Sequence, residues 1–438
     1  MRVVGNVSIK NGATLTIVPG ARVEFQDYFR LDVAGTLIAV GTPTQRILFT
    51  TDEPALFTVD QSHAGCWHGI GFDHTPSTNT PSLLAYCIFE YSKATGSGSG
   101  LYPYAGGVLS IVDYSDITVE NCILRHNVAD YAPAVLCYRN ANPLLVGNLL
   151  HDNHALQNAS AVYIAYSYPR LINNTIVRNP IHNEDNPYIE SCAIRNFLGR
   201  PVLAGNIILD NLPDVFYQHF EVWYARDYHT HDNNIAGTTF LTDNIDADPR
   251  FVSPAGVDGI PGTWDDNFRL LHASPSIDTA SNESLPPSLT TDLDGAARIF
   301  DGDLDGTPIA DMGAYESGDC NANGLPDVDE IAAGLASDCN ANRIPDECEI
   351  DAFGTSLDCN ADDVPDECET IAAGDFTADG LVTAADFTFL AASLAGPDHP
   401  PLVPDGRCTA AHLAAFDADG DGDIDLADYA ALARLTMP

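Results

Sequence analysis

Leu144-Leu-Val-Gly-Asn-Leu-Leu-His-Asp-Asn153 is the stretch from which the fold is read. It returns as Leu171-Ile-Asn-Asn-Thr-Ile-Val-Arg-Asn179, and it is preceded by Ile117-Thr-Val-Glu-Asn-Cys-Ile-Leu-Arg-His-Asn127. A looser copy is Val202-Leu-Ala-Gly-Asn-Ile-Ile-Leu-Asp-Asn211. The closing Asn therefore stands at 127, 153, 179 and 211, at intervals of 26, 26 and 32. Each copy is led by small and apolar residues: Gly106-Gly-Val-Leu-Ser, Pro133-Ala-Val-Leu-Cys, Ser160-Ala-Val-Tyr-Ile and Cys192-Ala-Ile-Arg. Units of this size, with short β runs and no helical period, cannot bury their own inward row and must stack as coils of a parallel β-solenoid. The expected inward column is Val108, Val135 and Val162, with Leu109, Leu136 and Tyr163 facing out. The recurring Asn is expected to form an internal amide ladder, because one Asn side chain both donates and accepts.

Working outward, Asp248-Pro-Arg-Phe, Asp266-Asn-Phe-Arg-Leu, Ser274-Pro-Ser-Ile-Asp and Asp311-Met-Gly-Ala-Tyr-Glu316 follow the ladder. At the other end stand Gly12-Ala-Thr-Leu-Thr-Ile-Val-Pro-Gly-Ala-Arg-Val-Glu-Phe25, Gly35-Thr-Leu, Gly41-Thr-Pro and Trp67-His-Gly-Ile-Gly-Phe72. On these residues the chain resembles the right-handed parallel β-helix proteins of the pectin-lyase-like superfamily. More narrowly it is similar to the secreted bacterial β-helix proteins common in Planctomycetes. The resemblance covers 1–316 and implies a fold; that fold hosts lyases, hydrolases and non-enzymes alike.

The 438 residues carry 62 acids against 19 bases, a formal charge of −43, and only Lys10 and Lys93 are lysines. A surface so negative has no basic stripe for nucleic acid, and no apolar run approaches a membrane span, so both partners are excluded. Residues 319–438 hold 26 Asp/Glu against Arg343, Arg407 and Arg434, a composition shift that marks a boundary near Ser317–Gly318. The expected organisation is an all-β parallel β-helix over 1–250 and its closing segment or cap over 251–318. Ca2+-binding Asp/Asn repeats over 319–372 and a small α domain over 373–438 follow.

That last part is read as a calcium array. Ca2+ takes six to eight oxygens, and a 12-residue loop with oxygens at positions 1, 3, 5, 9 and 12 wraps one ion. Asp417, Asp419, Asp421, Asp425 and Asp428 fit at every position, with Gly422 for the turn. Asp375, Thr377, Asp379, Thr383 and Asp386 are a weaker copy. Each is followed by an apolar run expected to be helical, Phe387–Ala395 and Tyr429–Leu435. The pair resembles a type I dockerin over 373–438, which implies a cohesin-like partner. In that family, loop positions 10 and 11 carry polar contacts; here they are Ala384, Ala385, Leu426 and Ala427. An intramolecular Ca2+ clip is the alternative. Ahead lie three copies with Pro at position 8. They are Asp319, Asn321, Asn323, Asp327 and Glu330; Asp338, Asn340, Asn342, Asp346 and Glu349; and Asp358, Asn360, Asp362, Asp366 and Glu369. They are similar to thrombospondin type 3 calcium repeats. About five ions are expected in all, together offsetting nearly half of the local excess of acid. Without them the crowded carboxylates repel, so the tail is expected to unfold in the apo form. Disulfides within a loop (Cys339–Cys348, Cys359–Cys368) and between neighbouring loops, with Cys320 involved, are both open.

Regular Cys spacing and millimolar-Ca2+ loops point to an extracellular or cell-surface setting. Met1-Arg-Val-Val-Gly-Asn-Val carries no apolar signal segment, so a removed signal or a start within a longer gene product is expected. On the coils, Tyr138, Arg139, Tyr166 and Arg195 are the candidate carbohydrate-binding residues, with Tyr168 close by. Arg170 and Arg178 are further basic candidates. His151 and His154 are candidate bases, each expected on an exposed turn. His63, His68 and His74 around Trp67 are read as core packing before a metal site. The aromatic stretch 216–231 is expected to interrupt the ladder, as a flap over the last coils or as a ligand platform. No run resembles the polygalacturonase Asp-Asp and Gly-His-Gly motifs. Two function classes follow: a non-catalytic binding or structural β-helix that docks or self-associates through its ends, and a lyase or glycosidase acting on acidic glycans.

Overall fold

A computed structural model describes residues 1–96, 106–158, 161–181, 192–211, 222–223, 229–236, 243–256, 258–271, 274–302 and 306–318. Beyond these it describes 320–321, 327–340, 344–352, 356, 358, 364–365, 368, 375, 383, 394, 417–418 and 424–432. Two compact units result: Met1–Phe251 with Phe268–Gly324, and Val252–Asn267 with Leu325–Pro438.

The first unit is a parallel β-helix. Each coil contributes one short strand to each of three sheets, of nine, eight and eight strands. Every pairing in these sheets is parallel. The inward residues of the first sheet run Val23, Phe49, Phe89, Leu124, Leu150 and Ile176 from coil to coil, all buried in one apolar core. The spacing of stacked coils is set by the backbone ladder, ~4.8 Å.

The corners explain why the repeat reads as it does. One residue per coil at each bend lies in the left-handed region: Tyr86, Asn121, Gly147, Asn173 and Gly205 at the corner before the first sheet, and Tyr91, His126, Asp152, Arg178 and Asp210 at the corner after it. Asn, Asp and Gly tolerate this conformation best, which accounts for much of their phasing. The residue that follows each of them turns inward. After the first sheet this gives the expected ladder: Asn127, Asn153, Asn179 and Asn211 are joined Nδ2 to Oδ1 at 2.8 Å per rung. Before the first sheet a second ladder, which the repeat reading missed, links Asn148, Asn174, Asn206 and Asn233 at 2.8–3.0 Å. Its signal was present as the Gly-Asn and Asn-Asn pairs at 147–148, 173–174 and 205–206. Cys122 and Cys87 hold the same inward position in the preceding coils, and the Cys122 amide donates to Asn148 Oδ1 at 3.0 Å.

The register corrects one expectation. In the second sheet Leu109, not Val108, aligns with Val135 and Val162, so Leu109 faces the core. Val108 sits at the bend before the strand, its amide donating to the Pro133 carbonyl at 3.0 Å. The outward column is Ser110, Leu136, Tyr163 and Arg195. Leu136 and Tyr163 do face away from the core but are buried in a satellite cluster with Ala132, Ala165, Tyr131 and Tyr138.

Residues 268–317 run along the flank of the coils as a strap. Arg46 donates to the Leu293 carbonyl at 2.5 Å, Asn173 to the Asp311 carbonyl at 2.6 Å and Gly313 to the Gly205 carbonyl at 2.7 Å. Phe268, Leu293, Ala314 and Tyr315 pack on Leu149 and Val177 of the first sheet. The strap is knotted by buried charge: Arg298, 1% exposed, pairs with Glu316 at 3.0 Å and donates to the carbonyls of Asp311 and Gly313.

Of the aromatic stretch 216–231, residues 222–223 and 229–231 are described. Val222–Trp223 pairs with Ile194–Arg195 and His229–His231 with Val202–Ala204, adding one strand to each of two sheets; the rest of the stretch, and with it the expected flap, lies outside the described residues.

Candidate functional sites: the calcium loops and an aromatic ridge

The expected ligand residues of the calcium loops fall partly within the described residues. Asp319, Asn323, Asn342, Asn360, Asp362, Asp366, Glu369, Thr377, Asp379, Asp386, Asp419 and Asp421 lie outside them. Of the others, Asp327, Glu330, Asp346, Glu349, Asp358, Asp375 and Asp428 are all buried. Isolated buried carboxylates are costly unless neutralised. Three arginines cannot neutralise the 26 acids of 319–438, whereas divalent ions can.

Local geometry fits oxygen coordination. In the loop that starts at Asp338, the Cys339 amide donates to Asp346 Oδ1 at 2.9 Å, and the Asn340 side-chain amide donates to both oxygens of Glu349, at 3.0 and 3.2 Å. In the last loop Asp428 accepts from the Ala418 amide on one oxygen and the Asp425 amide on the other, each at 2.8 Å. Position 12 is thus drawn back beneath positions 2 and 9. A carboxylate oxygen that accepts one N–H keeps a lone pair for a cation. Ile424 is fully buried beneath this loop, and the helix Leu426–Leu432 leaves from it. The donor set is all oxygen, as a hard cation such as Ca2+ requires.

The disulfide Cys339–Cys368 settles one open alternative. It joins position 2 of one loop to position 11 of the next, so Cys339 does not close on Cys348 within its own loop; Cys348 is oxidised as well. Cys359 and Cys408 lie outside the described residues.

On the coils, the bend after the second sheet brings three of the four carbohydrate candidates together. Arg139 and Tyr166 occupy the left-handed corner position of successive coils. The Arg139 amide donates to the Ala165 carbonyl at 3.0 Å, and its guanidinium lies 5.0 Å from the Tyr138 ring centre. Tyr166 packs edge-on against Phe197 at 5.5 Å. Tyr166, Tyr168, Phe197 and Leu198 are exposed, at 45%, 51%, 40% and 64%. Toward the first coils the same corner turns polar: His74 bridges Asp73 and Asp113, its Nε2 2.9 Å from Asp113. Arg195 is set apart from this ridge. It is half-buried in the outward column of the sheet, 6.0 Å above the Tyr163 ring. Phe197 and Leu198 were missed because no repeat position flags an apolar residue that ends up at a corner.

The candidate bases are not exposed. His151 ends a strand of the first sheet and is buried, its Nδ1 2.7 Å from Asp152, which also takes Arg178 at 2.6 Å. Phe268 of the strap closes over both, 5.3 Å from His151 and 4.7 Å from Arg178. Burial holds His151 below the usual imidazole range, and pushes its neighbour His126 down to about 4. Arg170 is tied to the strap through the Ser284 carbonyl at 3.0 Å. The three histidines near Trp67 do not converge: His63 and His68 sandwich the ring of Tyr28 at 3.8 and 4.5 Å, while His74 belongs to the corner. Trp67 itself is core, stacked 4.5 Å from Phe25.

Among the described residues no helix is long and apolar enough to cross a membrane. Residues 373–435 match the Dockerin type I domain. No curated protein matches the chain.

Proposed function

We propose that this protein is a secreted, Ca2+-dependent modular component of an extracellular assembly. In this reading the β-helix (1–250), with its closing segment (251–318), is a rigid binding or structural body. Residues 319–372 are a Ca2+-stiffened connection similar to thrombospondin type 3 repeats, and 373–438 dock to a cohesin-like partner. Ca2+ would be held by the loops beginning at Asp319, Asp338, Asp358, Asp375 and Asp417, about five ions in all. The observation that carries the reading is the match of 373–435 to the Dockerin type I domain, together with the closure of its last loop on Asp428. Isothermal titration tests it: Ca2+ should bind with a stoichiometry near five, and a type I cohesin domain should bind only the Ca2+-loaded chain. Binding that ignores EDTA would reject it. The same reading allows self-association or fibre growth through the coils, and sedimentation with and without EDTA reports it.

A second reading is a polysaccharide lyase or glycoside hydrolase acting on acidic glycans. It draws on the ridge, where Asp73, His74 and Asp113 stand at one end and Arg139, Tyr138 and Tyr166 follow. A cation beside a uronate and a nearby proton acceptor are what a lyase needs, and paired carboxylates are what a hydrolase needs. Turnover of uronate polymers that disappears in Asp113→Asn would establish it.

A further inference from the structure

The segment 252–267 carries Asp258, Asp265 and Asp266, no basic residue, and Trp264 as its one aromatic. It closes on itself. Asp265 Oδ2 accepts the Asp258 amide at 3.1 Å, Asp266 Oδ2 the Gly262 amide at 2.7 Å, and Asp258 Oδ1 the Ile260 amide at 2.7 Å. Thr263 Oγ1 lies 2.5 Å from Asp265 Oδ1 and 3.0 Å from the Ile260 carbonyl. Gly256, at φ 64°, faces the Asp265 carboxylate, which a Cβ there would strike. The residues on either side of Trp264 are thus pinned. Yet Trp264 is 84% exposed, the most exposed large apolar side chain among the described residues, and Ile260 on the same loop is 58% exposed. Loops packed by their own side chains are frequently functional, and a held base removes much of the ordering cost of binding. An indole is also the side chain with most to gain when a partner covers it.

We propose that Trp264 is a stacking platform for an arginine side chain displayed by a different protein, with Asp258 as its counter-ion. The ring and the charge around it fix the occupant. An indole is the best aromatic face for a cation, and a planar guanidinium is the cation that lies flat on one open ring. A quaternary ammonium is held instead by a cage of several aromatics, which this loop lacks. Asp258 is exposed, and its Oδ1 lies 3.4 Å from Thr263 Oγ1, one residue from Trp264. A carboxylate offers about four acceptor positions, so one that takes the Ile260 amide still receives the N–H groups of a stacked guanidinium. Ile260 then meets the methylene stem. An acidic glycan, or a second copy of a chain of net charge −43, would bring like charge to this loop and lose affinity. A neutral sugar could stack on the ring but would draw nothing from the charge.

The test uses the full chain in Ca2+ buffer and three fluorescent probes read by anisotropy. Two are short peptides of equal charge, alike except that one carries a pair of Arg and the other a pair of Lys; the third is an oligomer of β-linked glucose. At about 0.15 M NaCl the Arg peptide should bind about fivefold or more tighter than the Lys peptide. That ratio should fall to about one in Trp264→Ala, persist in Trp264→Tyr, and drop with a loss of about threefold or more in Arg-peptide affinity in Asp258→Asn. An unchanged unfolding midpoint shows that the variants keep the fold. Equal affinity for the two peptides in wild type, no binding of either, or a preference that survives Trp264→Ala overturns the inference. A glucose oligomer that binds tighter than the Arg peptide and is lost in Trp264→Ala makes the loop a glycan platform and overturns the choice of partner, as does a homodimer that Trp264→Ala dissociates.

Discussion

Asn153 and Asn179, one coil apart, are joined by a 2.8 Å bond from the Nδ2 of the first to the Oδ1 of the second, and that same oxygen takes the backbone amide of Asn153 at 3.2 Å. Asn153 Nδ2 also reaches the carbonyls of Leu124 and His151, at 2.8 and 3.0 Å. One side chain thus satisfies backbone groups in two coils at a bend where the strand ladder cannot. Buried polar groups left without partners cost more than the average hydrogen bond gains.

Removing a rung should therefore be severe. Asn153→Ala is expected to lower unfolding stability by about 3 kcal/mol, read from the urea midpoint at unchanged slope. Asn174→Ala, in the second ladder, should cost a similar amount. A loss under about 0.5 kcal/mol in either would mean that the ladders do not hold the bends.

The tail should answer to Ca2+ and to its crosslink. EDTA is expected to abolish protease protection beyond residue 319 while the β-helix stays intact. Cys368→Ser opens the bridge to Cys339, a sequence separation of 29, which should raise the Ca2+ concentration needed for protection. By loop entropy the bridge contributes about 3–4 kcal/mol. Identical Ca2+ dependence in wild type and variant would refute this coupling.

The strap should loosen at alkaline pH. Burial pushes the Asp311 carboxyl up to about 8 and that of Asp292 to about 7, and raises Glu316 as well. Because these folded values lie above the unfolded ones, their contribution is fully present below the ordinary carboxylate range and is lost as pH rises through about 8. Amide exchange at Ala296 and Glu316, corrected for intrinsic rate, should be about tenfold faster or more at pH 9 than at pH 6. A ratio near one would show that the cluster carries no proton in the folded state.

Ridge substitutions test glycan binding. Tyr166→Asn keeps a residue that accepts the left-handed corner (φ 54°) while removing the ring. Retardation on an acidic polysaccharide gel, if present, should fall about tenfold with Tyr166→Asn or Arg139→Ala, and stay unchanged with Arg195→Ala. Binding unchanged by Tyr166→Asn and by Arg139→Ala would place the glycan elsewhere.

The residue that each position needs was legible where the requirement is local. Asn recurs because one amide must bridge two coils, and the last loop reads as calcium-binding because its oxygens follow a fixed phase. The Val108 register was misjudged because coil lengths differ: Leu109 to Val135 spans 26 residues and Val135 to Val162 spans 27. The slip hid that Leu109 faces the core, while Val108 is itself buried in the same core at the bend. Aligning the similar triplets at 107–109 and 134–136 hid that change.

By itself, then, the sequence determined the stacked β architecture, the first amide ladder and the phased acidic loops, since each is written in a repeat of nearest neighbours. Only the tertiary structure decided that the strap buries His151 and Arg178, that Cys339 reaches Cys368, and that Tyr166 and Phe197 meet at one exposed corner. Those contacts join segments distant along the chain, and packing between such segments depends on how the coils stack, which no local repeat encodes.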